Sequence, residues 1–320
     1  MKSLKHLSDP RGVIAAIAVD QRKSLRRMLA AAAGVAEPSI ADLQLAEFKE
    51  SVTRALSPSA SAILIDPEYG LPAMRQRAPE CGLLVTYESD GFDNPRPHRM
   101  LELLPNYSVA RLRDLGAQGV KVLLSWAPDG DALANEKKRV LIERAGWECD
   151  AAGVPFLLEP VVYDPAGADP KGVEFARRKP RLVRETIEEF SKPVYRVDVL
   201  KVEFPVTLAH IGTAYSREEA LGAFRALDDV ARCPYIYLSA GVGIDEFVAS
   251  LRMATEAGSG YSGVLCGRAV WQDGASIYVR EGQAALDRWL ETDGVRNAAR
   301  ILECLKEARP WHLAGAPAVQ

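Results

Sequence analysis

Histidine is scarce in this chain: His6, His98, His210 and His312 are the only four in 320 residues. None stands in a His-x-x-His or His-Glu-x-x-His arrangement, so a zinc or iron centre lacks its usual ligands and no metal is expected. The five cysteines (Cys81, Cys149, Cys233, Cys266 and Cys304) are odd in number, widely spaced and without a Cys-x-x-Cys pair. That excludes a disulfide framework and fits free thiols in a reducing compartment, with Cys266, inside an apolar run, reading as a small core residue. No run of about 18 apolar residues occurs, so no membrane span is expected. Residues 1–12 also lack the apolar stretch of a secretory signal, and a cytoplasmic location follows as the expectation. Positive charge is not in excess either. The net charge is −3, and the clusters Arg22-Lys23, Arg26-Arg27 and Arg177-Arg178-Lys179 are short and lie beside helical patterns, as solvated faces do. A nucleic-acid partner is therefore not expected.

What is present is apolar material in ordinary globular proportion, 48% hydrophobic against 26% charged, which excludes disorder. It is organised as eight short apolar runs at residues 13–20, 61–66, 82–88, 120–126, 155–163, 197–206, 235–241 and 263–268. Stretches of helical periodicity separate most of them, among them 40–56, 108–115, 136–152, 173–189 and 216–230. Ser216 and Glu219 have the spacing of a capping box at the start of the last. Strands alternating with helices imply a parallel sheet, and eight of them suggest an α/β fold of the (β/α)8 TIM-barrel type. An open doubly wound sheet would want Gly-x-Gly-x-x-Gly after the first strand, where this chain has Asp20-Gln21-Arg22-Lys23. No linker divides the chain; Pro95-Arg96-Pro97 and residues 165–170 read as strand-to-helix loops. A single barrel domain over 1–320 is expected, with a helical extension at about 276–308 packed outside it and a loose Pro/Ala tail.

Lys201 is the residue that demands a reason. It sits inside Val197-Asp198-Val199-Leu200-Lys201-Val202-Glu203-Phe204, a run apolar enough to be buried on both faces. Burying an ammonium is costly unless it is paired, and desolvation frees the amine as a nucleophile toward carbonyls. The plain alternative is a salt bridge to Glu203, two residues on and on the same face. Active sites of barrels form at the carboxyl ends of the strands, and polar residues converge there. Lys121, Glu159 and Lys201 fall on three successive strands, 38 and 42 residues apart. If all three face inward, Lys121 supplies a charge that depresses Lys201, and Glu159 is the acid/base. Asp20, Gln21 and Arg22 close the first strand. Ser239-Ala240-Gly241-Val242-Gly243 and Gly267-Arg268 follow the seventh and eighth, where many barrels hold phosphate: small residues let backbone N–H groups approach it and Arg268 adds a forked contact. A phosphorylated carbonyl compound beside an amine suggests aldol chemistry.

These same residues resemble the class I tagatose-bisphosphate aldolase family. The likeness lies in Ala18-Val19-Asp20-Gln21-Arg22, Asp66-Pro67-Glu68-Tyr69-Gly70-Leu71-Pro72-Ala73, the Lys201 run, Tyr235-Ile236-Tyr237-Leu238-Ser239-Ala240-Gly241-Val242 and Gly263-Val264-Leu265-Cys266-Gly267-Arg268-Ala269. The resemblance implies a barrel enzyme that cleaves a ketohexose bisphosphate to dihydroxyacetone phosphate and glyceraldehyde 3-phosphate without metal or other cofactor. It puts the Schiff-base lysine at Lys201, the catalytic glutamate at Glu159 and an assisting lysine at Lys121. It puts substrate contacts at Asp20, Gln21, Arg22, Ser239, Gly267 and Arg268, to which the loop reading adds Gly241. The expected partner is a small phosphorylated sugar; the oligomeric state is left open, homo-oligomer included. Lys23-Ser24-Leu25, Ser125-Trp126 and Glu159-Pro160-Val161-Val162 lean toward the related sulfofructose-phosphate aldolases, while the Asp66 and Ser239 stretches favour tagatose 1,6-bisphosphate. A sugar-phosphate sensor without turnover and a metal-dependent barrel aldolase are the remaining alternatives.

Overall fold

Runs that are apolar on both faces can satisfy their backbone only beside other strands and must be covered by helices, which is the requirement a parallel barrel meets. In the computed structural model, which describes residues 2–89, 91 and 94–314, the eight runs become β1 (Ile14–Ala18), β2 (Ala62–Ile65), β3 (Gly82–Thr86), β4 (Gly119–Trp126), β5 (Phe156–Val162), β6 (Val199–Val202), β7 (Tyr235–Tyr237) and β8 (Gly263–Cys266). All pairings are parallel and sequential, and β1 pairs with β8 to close the ring. The expected (β/α)8 barrel is therefore the architecture found.

The helices are α1 (Lys23–Ala33), α2 (Asp42–Leu56), α3 (Leu71–Arg75), α4 (Val109–Asp114), α5 (Ala132–Ala152), α6 (Val173–Phe190), α7 (Arg217–Asp228), α8 (Ile244–Glu256), α9 (Arg268–Trp271), α10 (Gly274–Glu281), α11 (Gln283–Trp289) and α12 (Val295–Cys304). The capping box is realised: Ser216 Oγ accepts from Glu219 N, and Ser216 N donates to Glu219 Oε2 at 2.7 Å. The stretch at 276–308 is not one helix. Gly282, at φ 81° and ψ 179°, separates α10 from α11, and a π-helical turn at Leu290–Gly294 precedes α12. These pieces pack on α1, α2 and α8 outside the barrel. The tail at 315–320 lies outside the described residues.

Two apolar layers result. The outer one fills the space between strands and helices, while Ile14, Ala16, Ala18, Leu64, Leu84, Leu157, Val199, Ile236 and Leu265 fill the barrel itself. The segment before β1 closes the amino-terminal end from below, with Leu4 and Leu7 packed into that inner layer and Trp311 against it. Gly82 makes this approach possible, because a Cβ there would lie 1.9 Å from the carbonyl oxygen of His6.

Candidate active site

Side chains alternate between the two faces of a strand, so the residue two positions beyond an inward one also points inward. Applied to the inner layer, the rule carries Ala18 to Asp20, Leu64 to Asp66, Leu157 to Glu159 and Val199 to Lys201. On β3 it passes from Leu84 through Thr86 to Glu88, and on β4 from Gly119 to Lys121. The barrel's apolar filling thus ends in a ring of charge at its carboxyl-terminal mouth. All six charged groups are largely buried; Lys121 is 1% exposed and Lys201 is 4% exposed.

The contacts form a chain of alternating sign. Lys201 Nζ lies 2.8 Å from Glu159 Oε1, and Glu159 Oε2 lies 2.9 Å from Lys121 Nζ. Lys121 in turn donates to Asp20 Oδ2 at 2.9 Å and to Glu88 Oε1 at 2.7 Å, while Glu88 Oε2 accepts from Leu123 N at 3.0 Å. Lys121, Glu159 and Lys201 do converge, but in the order lysine, glutamate, lysine. The expectation that Lys121 acts on Lys201 as a bare cation meets a different geometry: Glu159 stands between them and three carboxylates surround Lys121. The plain alternative for Lys201 is also replaced. Glu203 follows the end of β6 and turns outward, 3.4 Å from Lys179 on α6 and accepting from Val162 N at 2.9 Å.

Electrostatics follow from this arrangement. Burial alone would raise Asp20, but Lys121, Lys201 and Lys49 together hold its carboxyl well below the usual carboxylate range. For Glu88 burial prevails over Lys121 and Arg22, helped by the nearby Asp20, and its carboxyl is pushed up. Burial works against the charge on Lys121, yet Asp20, Glu159 and Glu88 outweigh it and raise the ammonium well above its ordinary value. Lys121 is therefore a fixed cation.

Glu88 is a site residue that sequence reasoning missed; its only signal was an acid closing an apolar run. Arg22 is where the first strand's end was expected to bring it, 8% exposed, but its guanidinium is engaged: Nη1 donates to Ser89 O at 2.8 Å and Nη2 to Glu88 O at 3.0 Å. It thereby fixes the strand end that carries Glu88. Gln21 Oε1 is buried with no hydrogen-bond partner in the protein. Among the described residues no group of three or more His, Cys, Asp or Glu side chains could hold a metal ion, and no helix is long and apolar enough to cross a membrane.

The two loops expected to bind phosphate are brought together. Ser239 is buried, one residue past the last β6–β7 backbone bond (Leu238 N to Val202 O, 2.9 Å), and Gly243 caps α8. Gly267 precedes α9, placing Arg268 at its first position. The Arg268 guanidinium lies against Gly241, where a Cβ would come within 2.8 Å of Cζ and Nη1, and Gly241 has φ +81°. Gly241→Ala should therefore both strain the turn and displace the guanidinium. A rise of about tenfold in KM for a phosphorylated substrate, with kcat changed less, is the outcome expected from steady-state kinetics.

A family model described as DeoC/LacD family aldolase matches residues 14–273. Tagatose 1,6-diphosphate aldolase 2 of Enterococcus faecalis is 45% identical over 317 residues, covering 97% of this chain and 95% of that protein. The tagatose 1,6-diphosphate aldolase of Listeria monocytogenes is 42% identical over 315 residues, covering 96% and 92%. Among solved structures, fructose-bisphosphate aldolase from Plasmodium falciparum, in complex with TRAP and a small-molecule inhibitor, superposes with a TM-score of 0.70 over 95% of this chain and 93% of that one. At 13% identity it speaks for the fold alone.

Proposed function

The chain belongs to the DeoC/LacD family of aldolases, and from that membership we propose a class I enzyme that cleaves D-tagatose 1,6-bisphosphate to dihydroxyacetone phosphate and glyceraldehyde 3-phosphate. The observation that carries the reading is a buried lysine amine whose neighbouring carboxylate, Glu159 at 2.8 Å, can take its proton and is itself held by a second, permanently charged lysine.

Lys201, once its proton has passed to Glu159, attacks the C2 ketone; Glu159 then gives that proton to the carbinolamine hydroxyl, which leaves as water, so that an iminium forms and Glu159 is a carboxylate again. Ser239, Gly241, Gly267 and Arg268 hold the C1 phosphate, fixing C2 above the amine. Glu159 then takes the proton of the C4 hydroxyl as the C3–C4 bond breaks. The bonding pair moves to C3 and is taken up by the iminium as an enamine, while C4 becomes the aldehyde of the departing glyceraldehyde 3-phosphate. Protonation at C3 and hydrolysis by water return dihydroxyacetone phosphate and the free lysine. Lys121 keeps Glu159 oriented throughout. Asp20 and Gln21 hold sugar hydroxyls, and Arg22 flanks the distal anion. The five cysteines are all free thiols, in keeping with a reducing cytoplasm.

Reduction with borohydride of protein incubated with dihydroxyacetone phosphate should attach the reduced triose phosphate to Lys201, read by peptide mass mapping. Label on another residue, or none at all, overturns the assignment.

A further inference from the structure

The segment Asp66-Pro67-Glu68-Tyr69-Gly70 carries part of the family likeness, yet the reaction assigns it no role. Its first residue is wholly buried beyond the end of β2, and its carboxylate meets Lys49 Nζ at 2.5 Å. Lys49 belongs to α2, outside the barrel, and is fully buried. Its ammonium also donates to Val19 O at 2.6 Å and to Gln21 O at 2.7 Å, the carbonyls on either side of Asp20. The ammonium thus makes two hydrogen bonds to backbone carbonyls and one ion pair. On the other side of the pair, Asp66 Oδ2 accepts from Tyr69 N at 2.8 Å, so the turn that follows β2 fixes the carboxylate in turn. Glu68 from that same turn lies 3.6 Å from Arg22 Nη1.

An apolar pair of similar volume would avoid the desolvation that a buried ion pair suffers. What it could not do is bind two carbonyl groups where the chain leaves the sheet, just after its last backbone bond to β2, Val19 N to Leu64 O at 2.9 Å. The β1–β2 register ends at Ala18, and α1 does not begin until Lys23. Asp20, Gln21 and Arg22 occupy that gap. We propose that Lys49, held by Asp66, is a positioning residue: it fixes the backbone at Val19 and Gln21 so that Asp20 meets Lys121 and the strand end keeps the place from which Asp20 and Gln21 hold the sugar hydroxyls. The proposal rests on the aldolase reading of the site. Its chemistry is indirect, since Lys49 touches no substrate atom and acts through the strand end.

The test uses Lys49→Met and Asp66→Asn in the full-length protein. For Lys49→Met, KM for tagatose 1,6-bisphosphate should rise about tenfold and kcat/KM fall about 100-fold, the scale on which small misplacements of a positioning group act. Borohydride trapping of dihydroxyacetone phosphate on Lys201, which needs no distal contact, should stay within about twofold of the parent protein. Amide hydrogen exchange should quicken at residues 19–22 and remain unchanged across β5 and β6. Asp66→Asn, which leaves Lys49 its two carbonyls, should shift the same quantities in the same direction by less. Unchanged kinetics with only a lower melting temperature overturns the proposal, and so does a loss of trapping and of exchange protection spread evenly over the barrel. Failure to trap the parent protein at Lys201 overturns the aldolase reading instead, and the exchange measurement still decides whether Lys49 holds the strand end.

Discussion

Replacing Lys201 with arginine is expected to lower kcat/KM by about four to six orders of magnitude while leaving a folded protein, because the reaction has no other route to an electron sink. Arginine keeps a cation opposite Glu159 but cannot shed its proton and attack a carbonyl. Lys201→Met should be as inactive. It deprives Glu159 of one partner but not of Lys121, which remains 2.9 Å away. The two variants together separate the nucleophile from the charge: if charge alone mattered, arginine would retain activity that methionine lacks. Coupled assay of glyceraldehyde 3-phosphate formation measures the loss, and borohydride should attach nothing to either variant. Turnover in Lys201→Arg within about tenfold of the parent enzyme would show that the nucleophile lies elsewhere.

Glu159→Gln should have the next largest effect, a fall in kcat of about 10² to 10⁴, the range for removal of a general base. Its more telling signature is the species that accumulates. A glutamine between the two lysines can take neither the Lys201 proton nor the C4 hydroxyl proton, so the iminium should form more slowly and the C3–C4 bond should survive in the iminium that does form. Borohydride should then capture the six-carbon bisphosphate on Lys201 in the variant, where the parent enzyme yields mostly the three-carbon adduct. Lys121 keeps Asp20 and Glu88 as partners, so the variant should stay folded. A three-carbon adduct formed at the parent's rate would remove Glu159 from the bond-breaking step.

The eight strands were legible because runs buried on both faces are continuous in the sequence, and three charges inside such runs are conspicuous. Lys121, Glu159 and Lys201 could be picked out for that reason. Their connectivity could not, because which carboxylate faces which ammonium depends on the stagger of adjacent strands. Leu123 pairs with Glu159, so Lys121 stands two residues lower than the carboxylate it touches. Glu88 escaped notice, and Asp66 stood out only as part of the family likeness, for the opposite reason: an acid that ends an apolar run looks like any residue emerging into solvent. Lys49 was harder still. Within α2 it has the appearance of a surface lysine, and only the closure of the barrel brings it under the end of β1. The helical extension was read as continuous because neither the turn at Gly282 nor the π-helical turn interrupts its apolar periodicity.

The plug formed by Leu4 and Leu7 packs against the apolar filling at the amino-terminal end of the barrel. Sugar, aldehyde and the water that releases the second product must all use the mouth ringed by Asp20, Glu88 and Glu159. A six-carbon chain that fills that opening should hinder water from reaching the iminium from this side during cleavage. Departure of the aldehyde opens the mouth to the hydrolytic water. Aldehyde leaves first because the triose phosphate stays bound to Lys201 until hydrolysis, and the filled floor of the barrel turns both departures toward the end that carries the chemistry.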